Sequence, residues 1–420
     1  SAHAIIIVQD NKAALYLFVQ GRNEEMETWE GKRLGPEGAK QQFGAEEAFL
    51  YEEYESLAPK LLSGIEDIYC DYTNAAFEKY DKKLINTAIP YDQRGSSFSK
   101  ATLNSLSPLL SELRLIKSSE ELENLKRACD ITVEGHKSAM EFTKKDMYEY
   151  QIEAEMEKTF YDLGAERLGY PSIVASGDNA CILHYSTNRE KVDNNGLILI
   201  DAAAEFKMYS SDVTRTFPVN GKFTKVQQDV YTEVLKAQEI GIKNVTTKKT
   251  MSDIHTSTVA SISQSLVDLG LVPMGVEETI SMMHYFEFFM HGTGHWLGLD
   301  VHDAGTTEEK NKPRKLKPGM VTTIEPGIYI RPNKPEIEFK LLERDPKKIR
   351  ERRKSLGMEK ATKLESEEMK DAKSIKHKIP KDLLGIGIRI EDDIVCTEND
   401  PINLTIGAPK TIDDVEAICS

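Results

Sequence analysis

The sequence predicts a mixed α/β protein with two domains, and three observations support this. The chain has 420 residues, which is more than one average domain holds. Apolar residues make up 40% of it, so a sizeable core can form. Short strand-like apolar runs alternate with longer stretches in which apolar residues recur at helical spacing. We place the domain boundary after residue 113, which gives domains of 1–113 and 114–420.

The first domain is predicted to mix strands and helices. Ile5–Val8 and Ala14–Val19 have the composition of strands and are separated by a polar turn. Ala45–Leu62 is an acidic helix candidate, and Ile65–Asp71 is a further strand. The domain shows no catalytic cluster in its sequence. Because the sequence enters a strand almost at once, we expect the start of this domain to be missing.

The second domain is predicted to begin with a long helix and to change to short strands after about residue 170. Ser118 and Glu121 have the spacing of a capping box, and apolar residues follow them at helical spacing. Thr224–Leu271 is also predicted to be helical. Strand-like runs that carry the motifs discussed below occur at Leu197–Asp201, Met320–Glu325 and Gly385–Glu391.

A strongly charged segment at about 334–382 separates two of these strands. It contains the basic run Lys347–Lys354. One interpretation is an insertion that binds a partner or gates access of the substrate. The other is a helical excursion exposed to solvent, which is the more common structure of a charged run and the one we favour.

Net charge and cysteine usage exclude several classes of function. The formal net charge is −15, with 69 acidic against 54 basic residues, so neither nucleic acid nor an anionic membrane is an expected partner. The five cysteines are scattered and form no CxxC pair, which argues against a disulfide framework and against a thiolate zinc site. No run of about 18 apolar residues is present to span a membrane. These features favour a location of the protein in the cytoplasm, or in the mitochondrial matrix if the protein is eukaryotic.

Four motifs place carboxylates and histidines at predicted strands and in the turns beside them. They are Asp201–Pro218, His291–Asp303, Thr323–Tyr329 and Gly387–Asp393. Each motif alone has an ordinary explanation: an aspartate that ends an apolar strand is commonly a cap, and Arg389 and Glu391 are compatible with a buried salt bridge. Together, four carboxylates and one histidine on converging strands are very costly to bury without cations. Divalent metals supply such cations. The candidate ligands are Asp201, Asp212, His295, Glu325 and Glu391.

The composition of this ligand set indicates its chemistry. Oxygen-rich sites with one imidazole suit Mn, Co, Fe or Zn. Two such ions that share a carboxylate can stabilise both the attacking oxygen and the developing negative charge of a hydrolytic reaction. Competing signatures are absent from the sequence: it has no GxSxG and no Walker-type loop, and Gly292-Thr-Gly294 is too short for a dinucleotide site.

The four motifs, in this order, resemble those of the aminopeptidase P family, which is related to prolidase, creatinase and methionine aminopeptidase. The similarity extends from about residue 14 to the C-terminus and includes Trp29-Glu-Gly-Lys-Arg-Leu-Gly35, Arg114-Leu-Ile-Lys117 and Cys181-Ile-Leu-His184. The resemblance implies a creatinase-like N-terminal domain, incomplete at its start, followed by a pita-bread metallopeptidase domain that contains the charged insertion.

The resemblance also implies roles for individual residues. The five candidate ligands would hold two divalent ions, usually Mn²⁺, with Asp212 and Glu391 bridging them. Substrate binding is assigned to His184, Arg389 and Trp29, and catalysis to His302, Glu325 and His291. Trp29 matches an aromatic residue that in the family can reach a neighbouring subunit's site, and a plain surface or interface tryptophan is the alternative. A homo-oligomer, dimer or tetramer, is therefore expected.

The predicted activity is hydrolysis of the bond between an N-terminal residue and a following proline in peptides. Such a bond needs a dedicated site, because proline has no N–H and its φ is fixed near −65°. The nearest alternative is prolidase, which uses the same metals on dipeptides. Two further alternatives are a peptidase that processes imported precursors and a catalytically inactive pita-bread domain that binds proteins. The presence of all five ligands argues against the inactive domain.

Overall fold

The computed structural model describes residues 2–71 and 102–420. Contacts within the chain divide it into two compact units, Ser1–Leu110 and Ser111–Ser420, close to the predicted domain boundary. Within the described residues, no helix combines the length and the apolar character needed to cross a membrane.

The N-terminal unit combines a mixed sheet, a parallel strand pair and short helices. Its strands are β1 (His3–Gln9), β2 (Lys12–Val19), β3 (Glu47–Leu50), β4 (Asp67–Cys70) and β5 (Thr102–Ser105). Its helices are α1 (Glu24–Glu30), α2 (Gly35–Phe43) and α3 (Tyr54–Leu61). Strands β1 and β2, both predicted from the sequence, form an antiparallel hairpin, whereas β3 joins β2, and β5 joins β4, in parallel.

The predicted helix at Ala45–Leu62 is wrong over its first part. Residues Glu47–Leu50 form strand β3 and pair with Tyr16–Val19 of β2. The ring of Phe49 packs against that of Phe18, with 5.3 Å between the ring centroids, and Phe18 is fully buried. Hydrogen bonds to β2 and this aromatic contact outweigh a local composition that favours helix, because propensity is weaker than tertiary packing.

Most of the helical residues that the structure describes lie in the C-terminal unit. Its helices are α4 (Ser107–Leu115, at its start), α5 (Ser119–Phe142), α6 (Glu149–Asp162), α7 (Lys225–Lys243), α8 (Met251–Asp268), α9 (Val276–Ser281), α10 (Pro346–Leu356), α11 (Met358–Asp371) and α12 (Ile412–Ile418). The predicted long helix is α5, and its capping box is present: Ser118 N donates to Glu121 Oε2 at 2.7 Å, and Glu121 N donates to Ser118 Oγ at 3.3 Å. The predicted helical region 224–271 is confirmed as two helices, α7 and α8, each capped by a threonine.

The strands of this unit are short, and some of them pair with strands that are far away in the sequence. They are β6 (Arg167–Leu168), β7 (Ile173–Ser176), β8 (Leu197–Asp201), β9 (Ala204–Phe206), β10 (Tyr209–Ser210), β11 (Thr214–Pro218), β12 (Glu308–Glu309), β13 (Lys312–Pro313), β14 (Val321–Ile324), β15 (Gly327–Tyr329), β16 (Glu336–Lys340), β17 (Ser374–Lys378), β18 (Gly387–Arg389), β19 (Asp392–Val395) and β20 (Ile402–Asn403). Antiparallel pairing joins β11, β8 and β7 in one sheet, β14, β19 and β20 in another, and β15 with β18. The three predicted motif strands are confirmed as β8, β14 and β18.

A large core lies between these strands and the helices of the C-terminal unit, and smaller apolar clusters lie beside it. Side chains from α5 to α8 meet those of β7, β8 and β11, and the fully buried members include Ile131, Phe160, Phe217, Val234 and Ile262. Burial of one side chain of this size contributes about 1.5–3 kcal/mol. The strand ends that carry the acidic motifs are therefore anchored to a well-packed interior.

The charged segment 334–382 forms an ordered excursion from the C-terminal unit. Strands β16 and β17 pair antiparallel and carry α10 and α11 between them. The two helices are joined by ion pairs of 2.8 Å between Arg352 and Glu368 and between Arg353 and Glu365. Exposed pairs of this kind contribute little stability. The two helices fit the helical excursion that the charge pattern favours, and a role in partner binding or gating stays the alternative.

Candidate metal centre

Asp201 and Asp212 are brought together by the pairing of β8 with β11. Asp201 is the last residue of β8 and lies opposite Thr214, the first residue of β11. Asp212 lies just before β11, where its backbone N–H donates to Asp393 Oδ2 at 3.0 Å. The two aspartates contact one hydroxyl, that of Tyr170, whose oxygen is 2.5 Å from each Oδ1. The sheet therefore holds two carboxylates side by side.

Glu325 and Glu391 are positioned by a second pair of strands. Glu325 follows β14, and Glu391 precedes β19, its antiparallel neighbour. Ile324 and Asp392 lie opposite each other at this point of the ladder. The backbone N–H of Glu391 donates to the Thr214 carbonyl at 3.1 Å, which ties this strand pair to β11. All four carboxylates thus converge where the two sheets meet.

His295 is held by a glycine-rich loop that lies against β14. Its N–H donates to Thr323 Oγ1 at 3.1 Å, and the Thr323 N–H donates to the His295 carbonyl at 3.0 Å. Gly294 permits this close approach, because a Cβ there would lie 1.8 Å from the Thr323 carbonyl oxygen. Nδ1 of His295 donates to the Trp296 carbonyl at 3.0 Å, which directs Nε2 towards Asp212 Oδ2 at 3.3 Å.

The five predicted ligands line one cavity of about 500 Å³. Donor atoms of Asp212, His295 and Glu391 all lie within 4.8 Å of one another. Glu325 Oε1 is 3.6 Å from His295 Nε2, and Asp201 lies beside Asp212 across the shared hydroxyl. The structure therefore brings together residues that the chain separates by up to 190 positions, from Asp201 to Glu391.

The charges of this cluster do not balance within the protein. Burial raises the pKa of Glu391 well above its ordinary value, and repulsion from Asp212 adds to the effect. Burial also raises the pKa of Glu325 to about 7 and that of Asp212 in the same direction. Burial opposes the charged form of His295, but the hydrogen bond to Asp212 raises its pKa to about 9. Among the described residues that line the cavity, four carboxylates share one guanidinium, that of Arg389. The donor set therefore fits divalent cations, which relieve such repulsion.

Arg389 pairs with Asp201 rather than with Glu391. Its Nη2 donates to Asp201 Oδ2 at 2.5 Å, its Nη1 to the Tyr329 hydroxyl at 2.9 Å and its Nε to Thr214 Oγ1 at 3.0 Å. Glu391 instead accepts from Thr214 Oγ1 at 2.6 Å. The salt bridge considered for Arg389 and Glu391 is therefore wrong. Residues two apart on a strand share a face but lie about 6–7 Å apart, whereas Asp201 approaches from a different strand.

His291 lines the same cavity and is fixed at both ring nitrogens. Its Nδ1 donates to the Gly292 carbonyl at 2.8 Å, and its Nε2 accepts from the Tyr329 hydroxyl at 2.9 Å. Burial lowers its pKa, and the charge of Arg389 lowers it further, to about 3. The ring is therefore neutral at ordinary pH and held in one orientation.

His302 and His184 also line the cavity, and both are exposed to solvent. The ring of His302 meets that of His295 edge-on, with 4.3 Å between the centroids. Burial lowers the pKa of His302, and the charge of His295 adds to this. Trp29 lies in the N-terminal unit, on α1, and is 83% exposed. Its assignment to substrate binding stays a prediction.

Two residues at the site were not predicted from the sequence. Tyr170 contacts both Asp201 and Asp212 through its hydroxyl. Asp393 is fully buried, and its Oδ2 accepts from Ser211 Oγ at 2.9 Å as well as from the Asp212 N–H. Burial raises its pKa to about 8. A lone tyrosine after a short strand carries no sequence signal, whereas Asp393 could have been noticed from the cost of placing a carboxylate in an apolar strand.

A second cavity of about 310 Å³ adjoins the first through the glycine-rich loop. Gly292, Gly294, His295 and His302 line both cavities. The residues that line only the second include Met251, Ile254, His255, Gly305 and Thr307. The glycine-rich loop therefore borders both cavities.

Several known proteins that are similar to this chain are named Xaa-Pro aminopeptidases. Metallopeptidase family M24 matches residues 123–398, and the aminopeptidase P N-terminal domain matches residues 1–69. The Xaa-Pro aminopeptidase of Haemophilus influenzae is 35% identical over 416 residues, which cover 99% of this chain and 84% of that protein. The structure of Pseudomonas aeruginosa aminopeptidase PepP matches with a TM-score of 0.84 at 35% identity, over 99% of this chain and 85% of that one. A variant of Escherichia coli aminopeptidase P in complex with substrate matches with a TM-score of 0.83 at 35% identity, over 100% and 85%.

Proposed function

Because the chain belongs to metallopeptidase family M24, we propose that it hydrolyses the bond between an N-terminal residue and a following proline in peptides. The predicted family is confirmed, and so is the predicted fold class, an aminopeptidase P N-terminal domain followed by a pita-bread domain. The observation that carries the proposal is the convergence of four carboxylates and one histidine on a single cavity. The names of the relatives favour an aminopeptidase over a prolidase.

Membership of this family implies divalent metal ions, and the buried, unbalanced carboxylates of the cavity fit them. The proposal is two ions, Mn²⁺ in the cell, with Asp212 and Glu391 among the residues that would hold them. The full ligand set is Asp201, Asp212, His295, Glu325 and Glu391. When bound, such ions polarise the substrate carbonyl and favour ionisation of the attacking water.

Glu325 and His302 are assigned to proton transfer and charge stabilisation. The nitrogen of proline must gain a proton to leave, and Glu325 takes one from the attacking water and returns it to that nitrogen. Its oxygens lie 3.6 Å from His295 Nε2 and from His291 Nδ1, so it faces the other reactive groups. His302 donates to the carbonyl oxygen as negative charge develops there. Within the described part of the chain, its ring nitrogens have no hydrogen-bond partner that would compete for this role.

Arg389 is assigned to the proline side of the substrate, where Tyr329 links it to His291, and His291 keeps its proposed catalytic role. The hydroxyl of Tyr329 donates to His291 and accepts from Arg389, both at 2.9 Å, so hydrogen bonds link the three side chains along one side of the cavity. A dipeptidase must pair the terminal carboxylate of its substrate with a cation. Here the charge of Arg389 is matched by Asp201, and the second cavity offers space past the cluster. Both features support acceptance of peptides longer than two residues, with His184 as a further contact.

The enzyme is proposed to act as a homo-oligomer in the cytoplasm. Trp29 is 83% exposed, and a neighbouring subunit that covered it would remove a large aromatic side chain from water. Contact with the substrate across that interface is the role assigned to this residue. Cys129, Cys181, Cys396 and Cys419 are free thiols, which fits a reducing compartment.

The test of the proposed function is a comparison of kcat/KM for three peptides with manganese-loaded enzyme. Xaa-Pro-Xaa-Xaa is expected to be cut after its first residue, and Xaa-Ala-Xaa-Xaa serves as the matched control without proline. The dipeptide Xaa-Pro is expected to be the poorer of the two proline substrates. A clear preference for the dipeptide moves the assignment to prolidase, and equal cleavage of the alanine peptide contradicts the proline specificity.

A further inference from the structure

The Arg114-Leu-Ile-Lys117 motif lies outside the cavity, and its two cations share one carboxylate. Lys117 Nζ donates to Asp303 Oδ2 at 3.0 Å, and Arg114 Nη2 donates to Asp303 Oδ1. Arg114 also pairs with Asp300 at 2.6 Å. The side chains of Lys117 and Asp303 are each only 1% exposed. With a cation on each oxygen, the carboxylate of Asp303 is fixed in direction as well as in place.

Asp303 follows His302 directly and closes a tight loop. Its N–H donates to the Trp296 carbonyl at 2.9 Å, so a backbone hydrogen bond joins the ends of residues 296–303. Gly298 lies inside this loop against the ion pair. A Cβ at Gly298 would lie 2.3 Å from Asp303 Oδ2 and 2.9 Å from Lys117 Cε. Glycine is therefore required for the loop to close around the pair.

His302 has no comparable support of its own. Its ring touches the ring of His295, and within the described residues its nitrogens have no hydrogen-bond partner. The backbone on its C-terminal side is fixed by Asp303. Lys117 is itself anchored, because its N–H donates to the Gly319 carbonyl at 2.9 Å. Hydrogen bonds therefore connect Lys117, just before α5, to Asp303, the residue that follows His302.

We propose that Lys117 is a positioning residue which, together with Arg114, holds Asp303 and thereby fixes the direction of the His302 ring in the cavity. The inference rests on the proposed catalytic role of His302. A buried ion pair of this kind adds little net stability, because desolvation offsets most of its attraction. Its contribution is geometric, and small displacements of a catalytic group are costly: about 1 Å corresponds to a loss of about 10²-fold.

The test is a double-mutant cycle with Lys117→Met, His302→Ala and the combined variant, each loaded with Mn²⁺. Methionine keeps the length and the apolar stem of Lys117 and removes only its charge, while Arg114 stays on Asp303. Lys117→Met is expected to lower kcat by about 10–100-fold, with KM changed by less than about 3-fold and metal content unchanged. In the His302→Ala background the same change is expected to lower kcat by no more than about 2-fold, because the two residues act as one unit.

Gly298→Ala provides a second variant, which separates Asp303 from Lys117 without removing either charge. It is expected to reproduce the loss in kcat, and it carries the test should Lys117→Met fail to fold. Arg314→Met is the matched control. Arg314 is 4% exposed, and its partners are Glu112 at 2.5 Å and Thr306 at 3.2 Å, both outside residues 296–303, so its loss is expected to change kcat by less than about 2-fold.

A crystal structure of Lys117→Met distinguishes this inference from the proposed function. A His302 ring that moves or takes several orientations, with the carboxylate cluster in place, supports the inference. Wild-type kcat and ring position in both Lys117→Met and Gly298→Ala overturn it, and so does an equal loss of kcat with and without His302. Wild-type turnover of His302→Ala instead contradicts the catalytic role of His302, and the ring position in the crystal then decides the inference alone.

Discussion

Gly294→Ala tests whether the metal centre depends on the close approach of its loop to β14. The added Cβ would lie 1.8 Å from the carbonyl oxygen and 2.8 Å from the carbonyl carbon of Thr323. Since an ordinary carbon–oxygen contact is about 3.4 Å or more, the loop and the strand must separate by roughly 1.5 Å. The contact is made by backbone atoms, so no side-chain rotation can relieve it.

The displacement acts directly on His295, the next residue. The hydrogen bonds His295 N to Thr323 Oγ1 at 3.1 Å and Thr323 N to the His295 carbonyl at 3.0 Å cross this contact and would lengthen or break. Overpacking of this kind costs about 1–3 kcal/mol of folding stability. Ligand distances in metal sites vary by only about 0.2 Å, so a shift of this size is expected to weaken metal binding. A catalytic loss of at least about 10²-fold should follow.

The assay combines elemental analysis, denaturant unfolding and kcat/KM on an Xaa-Pro peptide. Gly292→Ala is the matched control in the same loop, because its Cβ would meet nothing nearer than 3.8 Å, at the Gly294 carbonyl oxygen. The control is expected to fold, to bind metal and to keep kcat within a few-fold of wild type. Gly294→Ala with full metal content and near-normal turnover would refute the argument, as would equal damage in both variants.

Four further predictions concern the candidate ligands, the metal itself, Tyr170 and the buried His136. Glu391→Ala is expected to lose bound metal and activity together, whereas His302→Ala is expected to keep its metal and to lose about 10²–10⁴-fold in kcat. The first expectation would be contradicted if Glu391→Ala lost its metal but kept the activity of the wild type. Chelation should abolish turnover and manganese should restore it, and active protein without a bound transition metal on elemental analysis would end the metal hypothesis. Tyr170→Phe should weaken metal affinity by about 10–100-fold in a competition titration, since the two aspartates lose the hydroxyl that aligns them. Burial lowers the pKa of His136 to about 4, so its neutral form is favoured in the fold and stability falls as the pH drops from about 6.5 towards 4. Between pH 7 and pH 5 the free energy of unfolding should fall by about 2 kcal/mol more in wild type than in His136→Gln, as measured by denaturant titration.

The sequence by itself determined the elements whose signals are local. The capping box at Ser118 and Glu121, followed by helical spacing, defines the start of α5, and both of its hydrogen bonds are present. The motif strand Leu197–Asp201 was recognisable because an uninterrupted apolar run ends in a single carboxylate. The five candidate ligands could be named together because the cost of burying several carboxylates does not depend on knowing how the strands pair.

The tertiary structure alone decided which partner each charged group takes. Arg389 pairs with Asp201, 188 residues earlier in the chain, although Glu391 stands two positions away. Lys117 pairs with Asp303, which is 186 residues away in the chain. No pattern in the sequence around Tyr170 predicts that its hydroxyl lies between two aspartates. Periodicity and capping act over a few residues, so a sequence window can record them. An ion pair between strands depends instead on register, and register is set by the packing of the whole core.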